Sequence, residues 1–173
     1  MTEIEVYAHS AMSNIPTKIL WVLLVVLIVG SCSLLWLKGW QDGKYSIARL
    51  ILVEWIVLVF CTTIVFRNTR VESAINLIPF SSYFCIAENS YLKEVAVINL
   101  LNVVMFVPVG VLLKCAFINN TWKQAILAGS ILSTTIELSQ FILSRGLCEV
   151  DDVIHNVLGC MLGYMLKRFL NYV

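Results

Sequence analysis

Five apolar stretches divide this chain, and their length bounds the fold before any single residue does. A helix rises about 1.5 Å per residue, so roughly 20 apolar residues cross a hydrocarbon core about 30 Å thick. Ile19–Leu37, Ala48–Phe66, Glu94–Leu113 and Trp122–Leu143 meet that length; Val153–Leu166 is shorter and is closed by Lys167 and Arg168. No ten-residue block alternates apolar and polar with period two, which excludes a membrane barrel. The expected fold is all-α: a polytopic membrane helix bundle of about five transmembrane helices. It forms a single domain over residues 1–173, with residues 1–18 as an N-terminal tail. Composition agrees, with 60% hydrophobic and 13% charged residues, where a soluble domain is about half apolar and a quarter charged.

Trp21, Trp36 and Trp40 flank the first stretch as interfacial belt residues. That stretch does not read as a cleaved signal peptide, because Glu3 and Glu5 make its leading region acidic and its apolar run is too long. The net charge of +1 offers no basic face for nucleic acid. Most of the six cysteines lie in apolar runs and read as small hydrophobes. Cys85 and Cys148 lie in loops on one side; a disulfide between them would require Cα atoms within about 7 Å, which sequence leaves open.

With five spans the termini lie on opposite sides. Lys38, Lys44, Arg49, Lys114, Lys123, Lys167 and Arg168 fall on one side, and Lys18, Arg67, Arg70, Lys93 and Arg145 on the other. The excess sets the N-terminus outside and the C-terminus in the cytoplasm.

The ionisable and amide groups inside the spans fall on a common side. Arg67 and Arg70 follow span two, and Asn99 and Asn102 open span three. Glu137 and Gln140 lie late in span four with Arg145 just beyond, while Asp151, Asp152, His155 and Asn156 open span five. Glu54 is the exception, nearer the opposite face. Ser130, Thr134, Glu137, Gln140 and Ser144 make one helical stripe, and Asp152, Asn156, Gly159 and Gly163 another. Gly159 and Gly163 form a small-xxx-small pair that lets two helix backbones approach. A carboxylate at membrane depth faces a bundle interior or a wet cavity. The expectation is a polar cavity open to one face, lined by spans three, four and five.

Blander readings stand beside this one. Asn99 can simply join helices. Asp151 can cap span five, with Asp152 in its favourable first turn. Glu137 can be the ion-pair partner of Arg145 or Arg67, and His155 a satisfied polar group. Between Arg67 and Lys93, Pro79 interrupts any helix, and Leu77, Ile78, Phe80, Tyr83 and Phe84 are too apolar for water. A re-entrant or interfacial segment fits, serving either as a lid with Arg67 and Arg70 available to an anion or as a seal for the bundle.

"NLIPF" (Asn76–Phe80), "NLLNVVMFVPVG" (Asn99–Gly110), "IELSQ" (Ile136–Gln140) and "RGLCEVDDVIHNVLGCMLG" (Arg145–Gly163) together resemble the VanZ-like family of bacterial membrane proteins. Order and spacing match over residues 67–166. The matching positions are Arg67, Asn76, Pro79, Phe80, Asn99, Asn102, Phe106, Pro108, Gly110, Glu137, Gln140, Arg145, Asp151, Asp152, Asn156, Gly159 and Gly163. His155 and the cysteines look peculiar to this chain. The resemblance implies a multi-pass protein of the bacterial plasma membrane, in a family whose namesake is associated with resistance to teicoplanin, a glycopeptide that binds cell-wall precursors. It implies no settled molecular activity.

Three functions follow as expectations. The first is recognition or modification of an amphiphilic envelope ligand, a lipid-linked cell-wall precursor or a lipoglycopeptide, by Arg67, Asn76, Asn99, Asn102, Glu137, Gln140, Arg145, Asp151, Asp152 and Asn156 among membrane lipids. The second is acid–base catalysis on a lipid-linked headgroup with Glu137 and Asp152 as candidates. The third is an ion or proton pathway through Glu54 and Glu137, which the apolar inner halves of spans three and five oppose. Asp151, Asp152, His155 and Glu137 are a weak metal set, and no metal or cofactor is expected.

Overall fold

The structure, a computed structural model, describes residues 17–67, 74–84, 89–117 and 119–171. Of residues 17–21, 38–42, 82, 84 and 89–94 only the backbone is described. Arg70 and Cys85 lie outside the described residues, as do the side chains of Trp21, Trp40 and Lys93.

The first two expected spans are one helix, α1 (Thr17–Phe60). Its 44 residues would reach about 66 Å if straight, but it doubles back. A Cβ on Gly30 would lie 2.7 Å from Leu50 Cδ2, and one on Gly43 would meet Leu35 at 3.1 Å. The reversal therefore falls between Leu35 and Gly43, and the two arms run side by side where a loop was expected. The second arm ends in a π turn, Cys61–Val65. The Thr62 and Thr63 hydroxyls both donate to Val59 O, at 2.9 and 2.7 Å, just ahead of the widened turn.

A short helix α2 (Ser81–Phe84) precedes α3 (Asn89–Ala116). Pro108 inside α3 has no N–H for the preceding turn. Beside that gap the Trp55 indole donates to Met105 O at 3.0 Å, fixing α3 to the second arm of α1. α4 (Trp122–Ile142) starts at a capping box in which Thr121 and Gln124 satisfy each other's backbone N–H groups. It ends with Arg145 N–H on Gln140 O at 2.7 Å across Ser144, whose φ of 52° lies in the left-handed region. α5 (Val150–Leu170) carries Asp151 and Asp152 in its first turn and Lys167 and Arg168 in its last, each sign at the favourable dipole end. Two-residue strands β1 (Ile75–Asn76) and β2 (Cys148–Glu149) pair in parallel.

The closest packing is between α3 and α5. A Cβ on Gly110 would sit 1.9 Å from Cys160 O, on Gly159 2.2 Å from Val103 O, and on Gly163 2.0 Å from Val107 O. Glycine is the residue these contacts admit, as the small-xxx-small spacing predicts. Phe106, Val109, Ile136, Cys160 and Tyr164 form the buried core with Leu52 and Val59 of α1. Val57, Ile98, Val104, Leu127, Ile131 and Leu162 point outward, an apolar surface suited to lipid. Gly43–Val65, Val95–Ala116 and Trp122–Ile142 are long and apolar enough to cross a membrane; the apolar helix Val22–Leu37 is shorter.

Candidate functional site

The two-residue sheet gathers the site. Cys148 N–H donates to Ala74 O at 3.0 Å, which brings the Asn76–Phe80 turn against the start of α5. Asn76 shapes that turn: its Oδ1 accepts from Ile78 N–H at 3.3 Å, and its Nδ2 donates to Ser81 Oγ at 2.6 Å and Glu149 Oε1 at 3.4 Å. Phe80 has a φ of 61°, strained for a bulky side chain. Its N–H is held by Asp151 Oδ1 at 2.5 Å. Asp151 is therefore not the cap of α5. Glu149 occupies the cap position, and the buried Asp151 carboxylate grips the turn instead. Leu77 and Ile78 stay 70% and 67% exposed on its outer side.

Beneath the turn runs a chain of hydrogen bonds. Asn99 Nδ2 donates to the Tyr83 hydroxyl at 2.6 Å, and that hydroxyl lies 3.2 Å from His155 Nε2. His155 Nδ1 is 2.6 Å from Asp151 O. A carbonyl only accepts, so Nδ1 carries the proton; in the neutral ring Nε2 then accepts from Tyr83.

Two carboxylates lie deeper. Glu137, 2% exposed, accepts the Glu149 N–H at 3.1 Å. Asp152 Oδ1 accepts from Asn102 Nδ2 at 2.7 Å, across the α3–α5 contact. The charge of Asp152 acts on Glu137, and that of Arg67 acts on both. Arg67 occupies room that Gly146 leaves: a Cβ there would be 3.2 Å from the guanidinium and 3.1 Å from Gln140 Oε1. Gln140 Nε2 donates to Thr63 O of the π turn at 3.1 Å, while its buried Oε1 has no hydrogen-bond partner among the described residues. Asn156 Nδ2 donates to Ser133 Oγ at 2.9 Å, and its Oδ1 is likewise unpartnered. In the loop beside these groups, the Cys148 thiol is free, and burial, followed by Glu137, Asp152 and Glu149, pushes its pKa upward.

Arg67, Asn76, Asn99, Asn102, Glu137, Gln140, Asp151, Asp152 and Asn156 thus lie at one end of the bundle. Arg145 lies there too, but its Nη1 donates to Val65 O at 2.8 Å and Arg67 O at 2.5 Å, closing the π turn. Of the two arginines considered beside Glu137, Arg67 is the one whose charge acts on it. The α4 stripe differs from the expected one. Ser133, Glu137 and Gln140 are buried, whereas Thr134 and Ser144 are exposed and Ser130 is half-buried. Tyr83, Ser133 and Glu149 belong to the site and were not among the expected ligand-binding residues; Ser133, four residues before Glu137, carried the helical-spacing signal. Glu54 sits apart, in an apolar cavity of about 240 Å³ with Leu23, Leu27 and Leu58. Among the described residues no three His, Cys, Asp or Glu side chains are placed to hold a metal ion.

The VanZ/LLP1 family model matches residues 46–171. Protein VanZ of Enterococcus faecium is 37% identical over 70 residues, which are 40% of this chain and 44% of that protein. The chain thus spans less than half the length of that relative. No solved structure matches the chain.

Proposed function

The chain belongs to the VanZ/LLP1 family, and we propose on that footing that it gives a bacterium tolerance of teicoplanin-like lipoglycopeptides by recognising an amphiphilic envelope ligand at the outer face of the plasma membrane. It is a polytopic membrane protein with helices long and apolar enough to cross a bilayer. The orientation proposed is N-terminus outside and C-terminus in the cytoplasm, from the excess of Lys and Arg at the opposite end.

One observation carries the reading: an apolar turn is latched over a layer of ionisable groups. Leu77 and Ile78 are exposed on one side of the turn. Asp151 holds its other side, with Glu137, Asp152 and Arg67 beneath. A ligand with a polar head and a lipid tail has matching chemistry for both. Arg67 suits an anionic group, and the unpartnered Gln140 and Asn156 oxygens suit hydroxyl or amide donors. Recognition rather than chemistry is the first reading. The electrostatic coupling of Glu137 and Asp152, which come from facing helix ends, supports acid–base catalysis on a lipid-linked headgroup as the second.

The test is Glu137→Gln, which keeps the shape and removes the ionisable group. Expressed in a susceptible Gram-positive host, the wild type should raise tolerance of teicoplanin more than of vancomycin. The variant should insert at wild-type level, keep its thermal stability in detergent and lose that tolerance. Normal tolerance in the variant would sink the reading, and loss of expression in step with tolerance would make Glu137 a structural ion-pair partner. Altered lipid-linked precursor in extracts of wild-type but not variant cells would select the catalytic reading.

A further inference from the structure

The opposite end of the bundle has a different chemistry, independent of the site above. Lys114 of α3, Lys123 of α4 and Arg168 of α5 line one hollow of about 480 Å³, completed by Asn120, Trp122 and Tyr164. Its walls are tied together. The Tyr164 hydroxyl donates to Asn120 O at 2.7 Å, and Asn120 Nδ2 donates to Leu113 O at 2.7 Å. Nearby, Arg49 of α1 donates from Nε to Ala116 O at 3.2 Å. The Lys114 ammonium lies 5.5 Å from the centre of the Tyr164 ring, so that cation is turned over the hollow's own wall.

Among the described residues no carboxylate lines this hollow. Glu137, Glu149, Asp151 and Asp152 belong to the other end, and Glu54 to the separate apolar cavity. Lys114 and Lys123, brought to one concavity from two helices, repel each other. Cations that merely reached for the water interface would have no reason to share a hollow. Trp122 and Tyr164 are the residue types that sit at headgroup level. A second hollow of about 500 Å³ shares Asn120; Arg49, Asn119 and Gln124 stand at it too, while Leu113, Phe117, Ala125 and Ala128 give it an apolar wall.

We propose that this end binds an anionic glycerophospholipid, with its phosphate-bearing headgroup among Lys114, Lys123 and Arg168 and the start of an acyl chain against the apolar wall of the adjoining hollow. On the orientation proposed above this is the cytoplasmic leaflet, where basic pockets between helices take anionic headgroups. The binding does not depend on that orientation.

The full chain in neutral detergent tests it, by thermal unfolding and by mass spectrometry of retained lipid. Added phosphatidylglycerol should raise the unfolding midpoint and stay bound, whereas phosphatidylcholine should do neither and inorganic phosphate should give no shift. Lys114→Gln combined with Lys123→Gln should weaken retention at least tenfold. Lys44→Gln, at an exposed cation outside the hollow, should not. Equal retention of both lipids, or equal loss with Lys44→Gln, overturns the proposal in favour of general surface charge. The same shift with inorganic phosphate overturns the lipid assignment. Should the double variant not fold, acylation of wild-type lysines decides: phosphatidylglycerol should protect Lys114 and Lys123 but not Lys44, and equal protection of all three refutes the site.

Discussion

Gly159→Ala is the sharpest probe of how the packing supports the site. The added Cβ would lie 2.2 Å from Val103 O, against the 3.4 Å of ordinary contact, so α3 and α5 must part by about 1.2 Å. Val103 adjoins Asn102, whose 2.7 Å bond to Asp152 crosses this interface. The same parting stretches that bond toward about 3.9 Å, past hydrogen-bonding range. Alanine gains about 1 kcal/mol of helix propensity over glycine. Against it stand about 1–3 kcal/mol of overpacking and about 1.5–3 kcal/mol for a lost bond to a charged group. The net is a destabilisation of about 1.5–5 kcal/mol, which at about 2–4 °C per kcal/mol is readable by thermal unfolding in detergent. Gly30→Ala is the control. Its Cβ meets the flexible end of Leu50 at 2.7 Å, which can swing away, so its midpoint should stay within about 2 °C of wild type. A Gly159→Ala protein as stable as wild type, with tolerance intact, would refute the claim that backbone contact at Gly159 holds the Asn102–Asp152 bond.

Asp151→Asn should weaken the latch on Phe80 N–H, costing about 1 kcal/mol or more, and limited proteolysis should then cut first between Asn76 and Phe80; unchanged cleavage would show that the turn holds itself. Because its pKa is raised, Cys148 carries less thiolate at neutral pH than an ordinary thiol and should alkylate slowly there, speeding up as pH rises. Glu137→Gln removes one of the charges that raise this pKa, so it should quicken that alkylation if Glu137 is ionised, and identical rates would place Glu137 in its neutral form. In intact cells an impermeant maleimide should reach Cys148 before Cys115, and the reverse order would invert the orientation.

The common polar end was legible because membrane-depth charges are costly wherever they occur, so their placement along successive helices carries information. Gly159 and Gly163 were legible for a similar reason: residues four apart on one helix face a neighbour together, and Val103 O and Val107 O are that neighbour. Arg145 was harder. A guanidinium serves backbone carbonyls as readily as a ligand, and nothing in its own sequence neighbourhood announces a π turn at Cys61–Val65 that leaves Val65 O to be satisfied. Tyr83 looked like part of an apolar loop, since its partners Asn99 and His155 are distant in sequence. The reversal of α1 was also hidden. Apolar length marks two separate spans, Ile19–Leu37 and Ala48–Phe66, whereas one helix covers Thr17–Phe60.

That reversal also bears on Glu54. Leu23, Leu24 and Leu27 of the first arm share the wall of the cavity that holds its side chain, and Glu54 Oε1 is buried without a hydrogen-bond partner among the described residues. The matched family region begins at residue 46, beyond that arm. The first arm therefore works as a sleeve along the second arm, where the family match begins, and its leucines line the cavity beside an acidic group.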